Sequence, residues 1–145
     1  MKDLHAFLNP LAAIEPVNVL DATVPSTVEL DLKGYNSAAV VIHWGAKGAG
    51  DTGTIDVTMT HADDDGTGTA GAYANIAAAD VVGVTPATGV VKNLAGGAVA
   101  TGILLFSYVG GKRFIKLAVT ETNANSTGTI MDIIVLRGHP ENTVE

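Results

Sequence analysis

Alternating apolar and polar residues along the chain predict a series of β-strands. In VELDL, Val28, Leu30 and Leu32 alternate with two carboxylates, which is the pattern of a strand with one buried face. The segments AAVVIHWG and TIDVTMTHAD alternate in the same way. Glycine-containing and asparagine-containing turns separate the three segments, so they predict an antiparallel meander with one solvated face.

Three further strands are predicted towards the end of the chain. ILLFSY (103–108) is apolar on both faces, which is typical of a central strand or of one covered on both sides. RFIKLAVTET and TIMDIIVLRG then alternate, with Ile115, Leu117 and Val119 on one face of the former. The pair Gly110–Gly111 precedes RFIKLAVTET and permits a hairpin turn of a primed type.

Residues 63–102 have a looser pattern. YANIAAAD (73–80) predicts about two helical turns on its alanines, whereas DVVGVTP and TGVVKNL predict short strands. Together the segments give about eight strands with regular spacing, which indicates an antiparallel sandwich, a jelly roll or a barrel. We expect an all-β, antiparallel fold of one of these three architectures.

The first 16 residues predict an extended N-terminal arm. Pro10 and Pro16 limit helix formation, and the apolar side chains show no strand alternation; they are Leu4, Phe7, Leu8, Leu11 and Ile14. These side chains can dock either on their own sandwich or on a neighbouring chain. We therefore expect an arm over residues 1–16, a sandwich over 17–140 and a tail over 141–145.

Composition and charge limit the function. The net charge of −7 disfavours binding to nucleic acid, which needs clustered cations. There is no cysteine, so disulfide and thiolate chemistry are excluded. The N-terminal residues do not match a secretory signal, and no apolar run is long enough to span a membrane. We therefore expect synthesis in a cytoplasm and no membrane partner.

The eight Lys and Arg residues are unevenly placed, since Lys112, Arg113 and Lys116 fall within five positions. One interpretation is that they are solvated and discourage accidental pairing of a strand edge. The other is that they meet an acidic surface of another subunit and set the register of an assembly. The sequence leaves both open.

Candidate catalytic and metal sites are weak. Asp63, Asp64 and Asp65 could offer oxygen ligands to calcium, but the EF-hand pattern is absent and a hydrated acidic turn is commoner. The four histidines are scattered, which gives no zinc-ligand spacing. No nucleophile motif surrounds any serine. We expect neither an enzyme nor a cofactor.

Several segments together resemble a known family. LKGYNSAAVVIHWG, GTIDVTMTHADDDGT, YVGGKRFIKLAVT and the closing IVLRGHP resemble bacteriophage and prophage head-decoration proteins, which stabilise capsids. The resemblance covers residues 17–140.

That resemblance implies a jelly-roll-like sandwich located on the outer surface of a virion and made in the cytoplasm of a bacterial host. It also implies docking on the major capsid protein, bridging of adjacent capsomers, and a homo-oligomer, with a trimer favoured. The expected contact residues are the five apolar residues of the arm together with Lys112, Arg113 and Lys116. The alternative is a glycan-binding or adhesin module on a phage tail or particle surface, for which Tyr73 would be the exposed stacking residue.

Overall fold

The computed structural model describes residues 8–19, 26–122 and 127–140. Within them the regular structure is strand, apart from a 3-10 turn at Ala78–Asp80. The strands in chain order are β1 (Asn9–Val19), β2 (Ser26–Asp31), β3 (Tyr35–Trp44), β4 (Thr54–Ala62), β5 (Ala74–Asn75), β6 (Val81–Val82), β7 (Val90–Leu94), β8 (Gly102–Tyr108), β9 (Phe114–Thr122) and β10 (Thr129–Pro140).

The strands form two antiparallel sheets. Sheet 1 has the order β1-β10-β3-β8-β6, and sheet 2 has the order β2-β9-β4-β5, with β7 also paired to β4. Without the two-residue strands β5 and β6, eight strands remain. Numbered among themselves they run 1-8-3-6 in sheet 1 and 2-7-4-5 in sheet 2, which is the strand order of a jelly roll. The predicted fold class is therefore confirmed.

This topology corrects two local predictions. The segments now seen as β2, β3 and β4 do not form a meander, because β3 lies in sheet 1 and its two neighbours in sequence lie in sheet 2. The Gly110–Gly111 pair does not close a hairpin either, since β8 and β9 belong to different sheets. Alternation within one strand specifies which side chains are buried but not which strand is its partner.

The predicted buried faces pack between the two sheets. Sheet 1 contributes Val40 and Ile42, and sheet 2 contributes Val57 and Leu117; all four are fully buried. Burying a side chain of this size stabilises the fold by about 1.5–3 kcal/mol. The residues that alternation in the sequence predicts to be buried therefore form the apolar core.

The alanine-rich segment was predicted to form about two helical turns, but it is not an α-helix. It forms the two-residue strand β5 and one 3-10 turn, and Ile76 between them is buried. Two helical turns are too short to be stable in isolation, and the buried isoleucine instead fixes the segment against the core.

The N-terminal boundary also differs from the prediction. Residues 9–16 do not form a free arm, because β1 pairs with β10 along the edge of sheet 1. The register of β1 against β10 shifts on either side of Ile14. Apolar residues therefore do not alternate strictly along β1, and the sequence pattern does not predict this strand. Pro10 and Pro16 are tolerated since β1 is an edge strand. Residues 1–7 and 141–145 lie outside the described residues.

The buried position of Ile14 leads to a stability prediction. Its side chain is 7% exposed and belongs to the core, so Ile14→Ala should lower the free energy of unfolding by about 2–4 kcal/mol. Urea unfolding followed by tryptophan fluorescence measures this. The matched control is Val109→Ala at an exposed position, which should leave stability nearly unchanged. Equal stability of both variants would show that β1 is not part of the cooperative fold.

Candidate functional site

The three clustered bases form ion pairs within their own chain. The Lys112 ammonium group donates to Asp63, and the Arg113 guanidinium group donates to Asp64. The Arg113 Nε and Nη2 groups also donate to the two Asp31 carboxylate oxygens, at 2.8 and 2.6 Å. Arg113 therefore joins β2 to the acidic loop that follows β4, and the two sequence features turn out to be one cluster.

The hydrogen bonds of this cluster shift the pKa values of its charged side chains. The hydrogen bond from Arg113 lowers the pKa of Asp31, and the backbone amides of Gly68 and Gly66, with Arg113, lower the pKa of Asp64. The hydroxyl groups of Thr69 and Thr67 lower the pKa of Asp65. The arginine pKa is raised in return by its bonds to Asp31.

Each carboxylate of the predicted calcium loop is thus engaged by groups of the protein itself. Asp63 accepts from Lys112, Asp64 from Arg113 and two glycine amides, and Asp65 from two threonines. Over residues 8–19, 26–122 and 127–140, no group of three or more His, Asp or Glu side chains could hold a metal ion. The arrangement is that of an acidic loop whose carboxylates are hydrogen-bonded within the chain.

Lys116 lies on the outer face of sheet 2 and covers Tyr73. Its ammonium nitrogen is 3.6 Å from the centroid of the Tyr73 ring and 3.9 Å from a Glu29 carboxylate oxygen. The hydroxyl oxygen of Tyr73 is out of contact with solvent, and burial together with Glu29 raises its pKa. Tyr73 is therefore not the exposed stacking residue that the sequence suggested.

The other described aromatic side chains are also covered. Trp44, Phe106, Tyr108 and Phe114 are buried in the sandwich, and the Arg137 guanidinium carbon lies 4.6 Å from the Tyr35 ring centroid. Stacking on a sugar needs an aromatic face that is open to the ligand. Among the described rings outside the core, Tyr35 and Tyr73 are half-buried and each has a cation against one face.

A depression of about 250 Å³ lies between the turn at 32–36 and the loop at 110–113. Its bases include Lys112 and Arg113, whose charges are already balanced by Asp63, Asp64 and Asp31. The loop packs closely on Tyr108, since a Cβ atom added to Gly110 would lie only 2.6 Å from the Tyr108 hydroxyl oxygen. The glycine is required there by close packing, and the third base that lines the depression is the exposed Lys33.

His61 is a buried structural histidine. Its Nδ1 atom lies 3.0 Å from the Tyr108 hydroxyl oxygen, and its Nε2 atom lies 4.0 Å from an Asp80 carboxylate oxygen. The Lys112 amide donates to the same tyrosine hydroxyl, and burial raises the pKa of Tyr108 to about 12. These bonds connect β4, β8 and the loop before β9.

Sequence analysis missed one buried polar group. Lys47 is almost fully buried, and its ammonium group donates to the carbonyl oxygens of Gly53 and Gly96. The nearby Asp51 carboxylate accepts from the Thr127 amide at 3.0 Å. The two residues join three loops at one end of the sandwich. The glycine-rich sequence GAKGAGDTG gave no sign of this, because the partners are backbone carbonyl groups, one at Gly53 within the same segment and one at Gly96, 49 positions away.

The predicted apolar contact residues have different locations. Ile14 is buried and Leu11 packs on the core of its own sandwich, whereas Leu8 is half-buried beside Gly138 at the edge of sheet 1. Leu4 and Phe7 lie outside the described residues. Docking in cis is thus observed for Leu11 and Ile14.

Among the described residues, most of the exposed large apolar side chains lie on the outer face of sheet 1, the face turned away from sheet 2. On β8, Ile103 and Leu105 are 67% and 62% exposed, so this strand is not covered on both sides within the single chain as its sequence suggested. On β10, Ile130 and Ile134 are exposed, and Val82 of β6 extends the surface beyond β8. This sheet face is the candidate docking surface.

No protein-family model matches this chain, and no curated protein matches it significantly. Among solved structures, the chain is similar to the CBM22-1–GH10 modules of the Clostridium thermocellum endo-1,4-β-D-xylanase 10B, solved with xylohexaose. The identity is 16% and the TM-score is 0.39, over 95% of this chain and 27% of that chain. The chain therefore spans about a quarter of that protein, and its site has to be interpreted from its own geometry.

The ion-pair cluster generates a pH prediction. Because the pKa values of Asp31 and Asp64 lie below the ordinary 3.8, their stabilising effect is present above that value and is lost as the pH falls through the lowered values. Replacing both residues (Asp31→Asn with Asp64→Asn) should therefore flatten the decline in unfolding free energy below about pH 4.

The control is Asp56→Asn, because the Asp56 carboxylate pairs with the Asn93 amide and not with a cation. Denaturant unfolding at a series of pH values compares the three proteins. An acid dependence that is equally steep in the double variant and in the unmodified protein would contradict the assignment.

Proposed function

We propose that this protein is a non-enzymatic structural protein of a bacteriophage particle, which decorates the capsid and stabilises it by bridging adjacent capsomers. The observation that carries the proposal is the exposed apolar face of sheet 1, which includes Ile103 and Leu105 of β8. Apolar surfaces of this kind in a folded domain mark sites of protein association. The proposed partner is the major capsid protein.

The shape of the body is consistent with such a task. A jelly roll has few free strand edges, and its two sheets share one continuous core. A docking protein needs rigidity and several surfaces, because many modest contacts repeated over a shell give strong attachment. The bases Lys112, Arg113 and Lys116 stay candidates for a contact with the capsid, although their charges are shared with carboxylates of their own chain.

The glycan-binding alternative has less support from the geometry. A sugar-binding site needs an open aromatic ring beside polar groups, and Tyr73 is covered by Lys116. The described aromatic rings are engaged in the core or beneath a cation. A search of the described residues also finds no helix long and apolar enough to cross a membrane.

The direct test uses particles of the phage or prophage whose genome encodes this chain. We expect the protein to be present in purified particles at a fixed ratio to the major capsid protein, measured by quantitative mass spectrometry. Particles from a strain that lacks the gene should release their DNA at a lower temperature, and added purified protein should restore the original temperature. Particles that never contain the protein and do not bind it when it is added would refute the proposal.

The contribution of Leu4 and Phe7 can be tested separately. Deleting residues 1–7 removes no residue of β1, so the truncated protein should retain its unfolding free energy. If the two apolar residues contact the capsid, occupancy on particles should fall severalfold at equal protein concentration. The matched control replaces residues 1–7 by a glycine–serine segment of equal length that carries Leu4 and Phe7 at their original positions. Full occupancy by the truncated protein would show that these residues make no such contact.

A further inference from the structure

The outer face of sheet 1 is a continuous apolar surface built in rows. The strand register places Ile134, Val41 and Leu105 side by side across β10, β3 and β8. The next row contains Leu136, Ala39 and Ser107, with Val82 paired beyond the serine. Their neighbours along each strand are the buried core residues, so strand alternation directs this set away from the core.

Besides Ser107, one polar pair interrupts the surface, and its two side chains are hydrogen-bonded to each other. His43 on β3 is directly opposite Asp132 on β10, and its Nδ1 atom lies 2.9 Å from the carboxylate oxygen. Ile103 completes the same row on β8. The other carboxylate in the strands of sheet 1 is Glu15, beside the register shifts of the edge strand β1. The Asp132 carboxylate therefore already has a hydrogen-bond partner within its own chain.

The outer face of sheet 2 is chemically different. Its central row contains Glu29, Lys116 and Thr60, and the next rows contain Thr58 and Asp56 with small or polar partners. Such a face is stable in water, whereas the corresponding face of sheet 1 exposes isoleucine and leucine. The asymmetry between the two faces indicates that sheet 1 is covered in the working state of the protein.

The size of the face fits an interface. Four adjacent strands of about six residues cover roughly 15 by 20 Å, and the exposed apolar side chains amount to on the order of 500 Å². That is at the upper end of the largest apolar patch of an ordinary monomer. With a polar rim it approaches the roughly 800 Å² that each partner contributes to a stable complex.

We propose that a second copy of this chain covers the face, with sheet 1 of one subunit packed on sheet 1 of the other around a two-fold axis. A two-fold contact uses the same patch on both subunits, and the carboxylate within this patch, Asp132, is hydrogen-bonded to His43 of its own chain. The chain has a net charge of −7, but described carboxylates such as Glu29, Asp56 and Asp64 lie on sheet 2 or in loops. Two apolar sheet faces stack at about 10 Å in this way.

The proposal concerns the isolated protein: on a particle, the capsid protein proposed above would compete with the second copy for this face, so the dimer would open as the protein docks. It predicts a dimer, because two copies are enough to cover a face that packs on itself. The resemblance to decoration proteins implied a trimer instead. Dimerisation would give β8 the second covered side that its sequence indicates.

Sedimentation velocity and light scattering on the purified full chain test the proposal. The unmodified protein should have twice the chain mass of 14.7 kDa at micromolar concentration. Leu105→Asp should weaken association about 100-fold or more, because a charge then enters the apolar contact on both subunits. The matched control is Thr122→Asp, which adds the same charge at an exposed position of β9 in sheet 2, and it should remain dimeric.

A second variant distinguishes weaker association from misfolding of the Leu105→Asp protein. Ile103→Ser adds no charge at another exposed position of the face, and it should weaken the dimer about tenfold while denaturant unfolding at low concentration stays cooperative. A monomer in the unmodified protein, an oligomer of another size, or a dimer that persists in both face variants would overturn the proposal. A monomer that still binds particles and loses binding in Leu105→Asp would overturn it while leaving the proposed function standing.

Discussion

Burial of apolar side chains between two sheets is the interaction on which the structure depends. The eight longer strands change sheet at almost every connection, so consecutive strands lie on opposite sides of the core. A side chain such as Ile42 or Leu117 therefore holds together strands that are distant in sequence. The connections must span the sandwich, and they place loops with charged and glycine residues at its ends.

The loop charges stabilise these crossings locally. Arg113 binds Asp31 before β3 and Asp64 after β4, and Lys47 binds a carbonyl group of its own loop and one of another loop. These charges are engaged within the chain, so the arrangement that first suggested a calcium site or an acidic partner has a structural explanation. Among the described residues, large apolar side chains remain exposed on the outer face of sheet 1.

Strand alternation predicted the fold class and most of the core, because the period of two directly specifies which side chains are buried. It did not give strand partners, since a jelly roll and a meander contain the same alternating strands. It missed β1, where register shifts around Ile14 break the pattern, and it could not pair Arg113 with carboxylates 49 and 82 positions away. The double apolar pattern of ILLFSY predicted a strand covered on both sides, and within the single chain one side of β8 is exposed.

The central claim is that the protein functions by docking through the outer face of sheet 1. Hydroxyl-radical footprinting measures it most directly, because side-chain oxidation reports solvent exposure residue by residue. Assembly should protect Ile103, Leu105 and Ile134, while residues on the outer face of sheet 2 react as they do in the dilute single chain. Unchanged oxidation of β8 and β10 in every assembled state, or protection confined to sheet 2, would contradict the account.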